Sequence, residues 1–240
     1  MSLQKETGTS IKPHHVLEER WNDYYTSAFV RPFGNHTELY ESSLIKEMFQ
    51  NPNLLDPSNA KVFVLGGFHA YNDTVDDFKE FCQKMHNNPD DKHIYLDMNR
   101  LPLSSIRARS QKYRTQALLE NLPFKNGSID FLFADCTTDF MDNAQVQQFS
   151  KSSAETLSDN GLILIAKIYP PGLERQQNLH PTLPLYPRNI QDVQELMDDL
   201  KLVGFNYGYS SSVATFARKD SIFPEHMLSK MEMEEIYPDK

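Results

Sequence analysis

The chain has 240 residues, which is the length of one large domain or two small ones and is enough to enclose an apolar core. It carries 24 Lys and Arg against 33 Asp and Glu, a formal net charge of −9. We therefore expect no nucleic acid partner, because binding a duplex needs a basic face. The longest strongly apolar stretch, residues 162–166, is far shorter than the roughly 20 residues of a membrane span, so we expect no membrane segment.

Cysteine content and the N-terminal sequence bear on the compartment. The two cysteines, Cys82 and Cys136, suit a reducing environment and are too few for a cysteine-based zinc site. The first ten residues contain no apolar core, so we expect no signal peptide. The histidines show no metal-ligand spacing either. These features predict a cytoplasmic protein without a metal centre.

The N-terminal part of the chain divides into an aromatic arm and a helix. Residues 1–35 follow no regular pattern but are rich in aromatic side chains, so we expect them to form an N-terminal arm or lid. Such an arm can either cover a substrate or pack a helix onto the rest of the domain. Apolar residues at helical spacing then predict a helix over 36–50, which the prolines of residues 51–59 end.

Short β-rich runs then alternate with amphipathic stretches. Five runs of apolar and β-branched residues predict strands: 61–66, 93–97, 115–119, 129–135 and 161–168. Helical spacing predicts helices at 75–85 and 146–157, the second followed by a turn at 159–161. Because parallel strands need helical crossovers, this order predicts a doubly wound α/β sheet.

A proline-rich insert precedes the last predicted helix. Five prolines in residues 169–188 exclude a regular helix and an inner strand. The insert begins where a central strand ends, so we expect a mobile cover over the acceptor side of the ligand-binding crevice; the alternative is a surface insert without a role. Asn189 then suits the N-terminal cap of a helix whose apolar stripe runs from Ile190 to Val203, with Gly204 as its C-terminal cap.

Two β-rich runs close the domain. No helical pattern separates residues 205–209 from residues 213–217, so these runs should pair antiparallel. The predicted architecture is a doubly wound, mostly parallel seven-stranded sheet with a C-terminal antiparallel edge hairpin. Residues 36–218 make up this domain, and residues 219–240 form a C-terminal tail rich in Met and Glu.

Glycines and acidic residues follow the predicted strands at their carboxyl ends, where α/β sheets bind ligands. Gly66 and Gly67 follow the first strand, and Asp97 ends the second. An acid at that position binds a ribose in dinucleotide folds, or it simply caps a turn. Asp135 ends the fourth strand and can orient or deprotonate a substrate, although a solvated turn acid fits the same pattern. His69 is a candidate general base because imidazole titrates near neutral pH.

Three segments resemble the class I S-adenosylmethionine-dependent methyltransferases. They are Asp97 at the end of the second strand, residues 120–130 (ENLPFKNGSID) entering the fourth strand, and residues 157–165 (LSDNGLILI) entering the fifth. The closing edge hairpin is similar as well. The resemblance covers about residues 36–218 and implies a Rossmann-like fold, S-adenosylmethionine as the cofactor, and methyl transfer to a small polar acceptor.

The resemblance also implies roles for individual residues. The residues it places against S-adenosylmethionine are Gly66, Gly67, Asp97, Met98, Leu118 and Leu119. Asp97 would accept hydrogen bonds from the two ribose hydroxyls, whereas Leu118 and Leu119 stand where the family usually has an acid near the adenine. The catalytic candidates are Asp135, beside the expected methyl-transfer point, and His69 in the first loop.

The first loop departs from the family pattern and leaves a second hypothesis open. The family usually has glycine at the positions that correspond to residues 66, 68 and 70, but here only Gly66 is a glycine, followed by Phe68 and Ala70. A bulky Phe68 would crowd the approach of a cofactor to the backbone. The alternative is therefore a non-catalytic binding or assembly module that has lost the cofactor.

Overall fold

The structure is a computed structural model that describes residues 58–66, 79–80, 82–83, 86–98, 113–134, 137–168, 186, 188–206 and 212–228. Its strands are β1 (Val62–Gly66), β2 (Lys92–Asp97), β3 (Arg114–Gln116), β4 (Ile129–Ala134), β5 (Leu157–Ile168), β6 (Leu200–Asn206) and β7 (Ser212–Arg218). They form one sheet in the order β3-β2-β1-β4-β5-β7-β6. The first five strands are parallel, and β7 pairs antiparallel with both β5 and β6. The predicted doubly wound sheet with its antiparallel edge hairpin is therefore confirmed.

In the part of the chain that the structure describes, the helices α1 (Asn143–Thr156) and α2 (Ile190–Leu196) pack against one face of the sheet. Each helix places apolar residues one turn apart on its inner side, with Val146 and Phe149 in α1 and Ile190 and Val193 in α2. These side chains share one buried cluster with sheet residues, among them Val64, Leu96, Leu132, Ile163 and Phe216. Burial of this apolar surface stabilises the fold and fixes the helices relative to the strands.

The opposite face carries a stack of aromatic rings. Phe63 of β1 is level with His93 of β2 and Phe131 of β4, and its ring centre lies 5.5 Å and 5.0 Å from theirs. The helical residues 79–80 and 82–83 precede His86, whose ring centre lies 6.4 Å from that of Phe63. These residues agree with the predicted helix over 75–85, whose other residues lie outside the described ranges.

A buried histidine–aspartate pair joins β1 and β2 at the amino edge of the sheet. The distance from His86 Nδ1 to Asp91 Oδ2 is 2.7 Å, and each side chain is 2% exposed. The Asp91 carboxylate also accepts hydrogen bonds from the backbone N–H of Lys61, at 2.7 Å, and of Asn88, at 3.3 Å. The loop before β2 is thereby fixed to the start of β1, at the edge opposite the carboxyl ends of the strands.

The prediction of a long last helix is correct at its start and wrong in its second half. Asn189 caps α2 as predicted, with its side chain accepting from the third residue of the helix. The helix ends at Leu196, and β6 begins at Leu200. Leu200, Leu202 and Gly204 are buried and the residues between them are less so, which is the alternation of a strand. Gly204 is therefore not a helix cap; it lies in β6 at a shift in the register with β7.

The predicted turn at residues 159–161 is also wrong, because β5 begins at Leu157 and runs through it. The register of β5 against β4 shifts between Ile129 and Phe131, so the turn residues form an irregularity within the strand. A Cβ atom on Gly161 would lie 2.7 Å from the carbonyl oxygen of Ile129, a backbone atom. Glycine is therefore required here by the close approach of two strands.

The substitution Gly161→Ala should lower the free energy of unfolding by about 1–3 kcal/mol, the usual cost of overpacking. Gly127→Asn is a suitable control, since Gly127 has a φ of +67° with no atom within 4 Å of a built Cβ, and asparagine tolerates that backbone conformation. Urea unfolding followed by circular dichroism compares the two. A Gly161→Ala variant as stable as the parent would contradict the close approach.

Candidate functional site

The carboxyl ends of β1, β2 and β4 lie side by side at one edge of the sheet. Gly66 is level with Leu96 on one side and with Ala134 on the other. Asp97 therefore stands one residue beyond Gly66, next to the first loop. Ligands of doubly wound sheets bind at this edge, so the structure brings the predicted positions of Gly66 and Asp97 to the expected place.

Asp97 ends β2 as predicted, and it is only 5% exposed. Its carbonyl oxygen accepts a hydrogen bond from the backbone N–H of Ala117 at 3.1 Å. Gln116 of β3 is level with Asp97, and its Nε2 donates to the carbonyl oxygen of Met98 at 3.0 Å. Gln116 and Ala117 thus hold the backbone at Asp97 and Met98. These hydrogen bonds fix the position of Asp97 at the edge of the sheet.

Leu119 packs directly on the end of β1. The predicted strand over 115–119 is shorter in the structure, because β3 ends at Gln116 and Leu119 begins a 3-10 turn, Leu119–Asn121. Leu119 is buried, and a Cβ atom on Gly66 would lie 2.7 Å from its Cδ2. Packing against Leu119 is therefore a sufficient reason for glycine at position 66, separate from any ligand. The preceding Leu118 is half-buried.

The segment after β4 contacts both β1 and the residues that precede α2. Thr137 Oγ1 donates a hydrogen bond to the carbonyl oxygen of Gly66 at 3.2 Å. Residues Thr138–Phe140 form a 3-10 turn in which Thr138 and Asp139 are buried. The carbonyl oxygen of Asp139 accepts from the backbone N–H of Tyr186 at 2.6 Å. This turn therefore connects the first strand to the end of the proline-rich insert.

Arg188, which the sequence interpretation did not single out, holds this turn. It is the last residue of the insert and is 5% exposed. Its two terminal nitrogens donate to four oxygen atoms: those of the carbonyls of Thr138 (2.5 Å), Met141 (2.6 Å) and Tyr186 (3.1 Å), and Oδ1 of Asn143 (3.0 Å). Burial lowers the pKa of Arg188 from its ordinary value, and the carboxylate of Asp139 is the strongest influence opposing that shift.

The structure places some of the predicted site residues and not others. Those at or beside the carboxyl edge are Gly66, Asp97, Met98, Leu118 and Leu119. Those outside the described residues are Gly67, Phe68, His69, Ala70 and Asp135. Contact of any of them with a cofactor stays a prediction. Within the described ranges, no three His, Cys, Asp or Glu side chains converge as metal ligands, and no helix has the length and apolar character to cross a membrane.

Neither a protein-family model nor a curated protein sequence matches this chain, but solved structures match its fold. A variant of LepI, solved with S-adenosylhomocysteine and a substrate analogue, has a TM-score of 0.61 at 12% identity over 84% of this chain and 52% of LepI. A chain from the complex of the Haloferax volcanii Trm112 methyltransferase activator with a protein assigned as a methyltransferase has a TM-score of 0.56 at 9% identity, covering 72% of this chain and 88% of that one. The chain has the class I methyltransferase fold.

The methyltransferase fold does not by itself fix the reaction. A pericyclic reaction enzyme matches with a TM-score of 0.56 at 14% identity, over 83% of this chain and 51% of that enzyme. At sequence identities of 9–14%, the similarity to these structures shows a common fold and nothing about the reaction. The chemistry of this protein therefore depends on its own residues at the carboxyl edge.

Proposed function

We propose that this protein binds S-adenosylmethionine at the carboxyl edge of its sheet and transfers the methyl group to a small polar acceptor. The observation that carries the proposal is the position of Asp97 at the end of β2 in a methyltransferase fold, beside Gly66 at the end of β1. LepI, a neighbour with this fold, has been solved with S-adenosylmethionine and with S-adenosylhomocysteine.

The residues at this edge fit an adenosyl group in their chemistry. A carboxylate at the end of β2, the position of Asp97, is the group that accepts hydrogen bonds from ribose hydroxyls in dinucleotide-binding folds. Gly66 adds no side chain at the end of β1, while the half-buried Met98 and Leu118 provide apolar surface of the kind that lines cofactor sites. When bound, S-adenosylmethionine supplies a methyl group on a sulfonium, and the protein mainly aligns the two reactants.

In the proposed reaction, Asp135 and His69 are the residues that act on the methyl acceptor. Methyl transfer to a hydroxyl or an amine requires that the nucleophile lose a proton, which a carboxylate or a neutral imidazole within hydrogen-bond reach can accept. Asp135 directly follows β4 in the sequence, and β4 ends at Ala134 beside Gly66. The net charge of −9 supports a small acceptor rather than a nucleic acid.

The substitution Asp97→Ala should weaken S-adenosylhomocysteine binding roughly 10- to 150-fold. Loss of hydrogen bonds to a charged group costs about 1.5–3 kcal/mol, which corresponds to that change in Kd. Isothermal titration calorimetry measures it. The matched control is Asp130→Asn, because Asp130 is a half-buried strand acid at the opposite, amino edge, where it accepts from Val62 N. A folded Asp97→Ala variant with the affinity of the parent would remove the ribose role.

A second function, that of a non-catalytic binding or assembly module, is favoured by Leu119. Its side chain fills the space beside Gly66, and the family's acid near the adenine is missing at this position. Thermal unfolding with added S-adenosylmethionine and S-adenosylhomocysteine separates the two functions, since a ligand of the native state raises the Tm. A rise supports the enzyme, and an unchanged Tm at millimolar ligand supports the module.

A further inference from the structure

The guanidinium group of Arg188 is buried. Among the described residues, its nitrogens donate hydrogen bonds to neutral oxygen atoms. A buried guanidinium is stable only where its donors are used, and here two nitrogens serve four acceptors on three segments: the turn Thr138–Phe140 with its C-terminal cap Met141, the first residue of α1, and Tyr186. The guanidinium carbon also lies 5.7 Å from the centre of the Tyr186 ring. The position of the guanidinium is thereby fixed from several sides.

The turn that Arg188 holds is next to the end of β1. The two shortest of these hydrogen bonds reach the carbonyls of Thr138 and Met141, at the two ends of the turn. Thr137 directly precedes the turn, and its hydroxyl donates to the carbonyl of Gly66. A shift of the turn would therefore move Thr137 and release the carbonyl at which the first loop begins.

We propose that Arg188 is a positioning residue for the cofactor site. It holds the turn after β4 in place, and the turn keeps Thr137 on the carbonyl of Gly66. This inference rests on the proposed function, because it takes the cofactor to bind beside Gly66 and Asp97. It assigns the control of cofactor affinity to a residue at the end of the proline-rich insert, which acts through the turn after β4.

The geometry of Arg188 predicts that lysine cannot replace it. A guanidinium is a planar fork with five donors, whereas an ammonium is a point charge with three. Arg188→Lys keeps the charge but cannot reach acceptors at both ends of the turn. Arg218 provides the matched control, since its guanidinium also joins separate segments, bonding to Asp159 and Asp220, but at the amino edge of the sheet.

Calorimetric titration with S-adenosylhomocysteine tests the inference. We expect Arg188→Lys to weaken binding about 10-fold, which is within the range for residues that act on a site without contacting its ligand, and Arg218→Lys to stay within about twofold. Thr137→Val should weaken binding as well. If Arg188 acts through Thr137, the variant that combines Arg188→Lys with Thr137→Val should have about the same affinity as the single variant with the lower affinity. A general loss of stability would not produce this non-additivity.

Restoration of binding by free guanidinium ion is an independent test of the role of the Arg188 side chain. Arg188→Ala leaves a space that a free guanidinium ion can enter, so low millimolar guanidinium chloride should restore part of the lost affinity for S-adenosylhomocysteine. Sodium chloride at the same ionic strength should not. Restoration by both salts, or by neither in a folded Arg188→Ala variant, would contradict the proposed role of the guanidinium group.

The binding measurements on the Arg188 and Thr137 variants show whether Arg188 positions the cofactor site. A folded Arg188→Lys variant that binds S-adenosylhomocysteine as the parent does would overturn it, as would full additivity with Thr137→Val. If no Arg188 variant folds, Thr137→Val decides alone, and an unchanged affinity overturns the inference. A parent protein that binds no S-adenosylhomocysteine overturns the proposed function itself, whereas parental binding with unaffected variants overturns the role of Arg188 only.

Discussion

Replacing Asp91 with alanine should lower the free energy of unfolding by about 3–5 kcal/mol, because it removes the acceptor of three hydrogen bonds. The Asp91 carboxylate accepts from His86 Nδ1 and from the backbone N–H groups of Lys61 and Asn88. The substitution leaves these donors without their acceptor between β1 and β2, and an unsatisfied buried donor costs about 1–3 kcal/mol.

Urea unfolding of the Asp91→Ala variant measures this loss. The control is the neighbouring exposed acid, because Asp90→Ala should change stability by no more than about 0.5 kcal/mol. A loss below about 1 kcal/mol for Asp91→Ala would mean that the pair contributes no more than a surface ion pair. Because Asp91 is at the amino edge, the folded variant should keep the parental affinity for S-adenosylhomocysteine.

The substitution Leu119→Ala should cost about 2–5 kcal/mol, the usual range for truncating a buried leucine. Leu119 is 4% exposed and belongs to the apolar cluster beneath α1 and α2. Its side chain is also the group that a Cβ on Gly66 would meet at 2.7 Å. Truncation therefore has a second consequence, since it opens space for a side chain at position 66.

Gly66→Ala provides the test of this contact. In the parent, Gly66→Ala should be destabilising, because Leu119 has to shift. In the Leu119→Ala background the same change should cost less, a coupling that equilibrium unfolding of the four proteins measures. Leu122→Ala is the control. Leu122 lies in the same cluster at 6% exposure, but the three atoms nearest to a Cβ on Gly66 all belong to Leu119. Additive costs for Gly66→Ala and Leu119→Ala would contradict the contact.

The strands that could be predicted from sequence are those with local and unambiguous patterns. Strands β1, β2, β4 and β7 lie within one residue of their predicted bounds. The region after Leu196 contains two patterns at once: Leu200 and Val203 continue a helical stripe, while Leu200 and Leu202 alternate as in a strand. Pairing with β7 decides between them, and that partner is not visible in a local window. Gly161 shows the same limit, because residues typical of a turn can also fill an irregularity in a strand.

The candidate site could be predicted to the extent that it depends on the ends of strands. Asp97 and Gly66 are adjacent because the carboxyl ends of parallel strands meet at one edge. Arg188 could not be predicted, because it binds mainly main-chain carbonyl oxygens, which every residue provides. The packing of Leu119 on Gly66 depends on the early end of β3, which no local pattern marks. The roles of Gly67, His69 and Asp135 stay predictions.

The most direct test of S-adenosylmethionine binding at the carboxyl edge is a crystal structure of the whole chain with saturating S-adenosylhomocysteine. We predict the ligand at the carboxyl ends of β1 and β2, with both ribose hydroxyls within hydrogen-bond distance of the Asp97 carboxylate. Thr137 should remain on the carbonyl of Gly66. A structure in which this edge holds no ligand, or in which the ligand binds away from Asp97, would contradict the account.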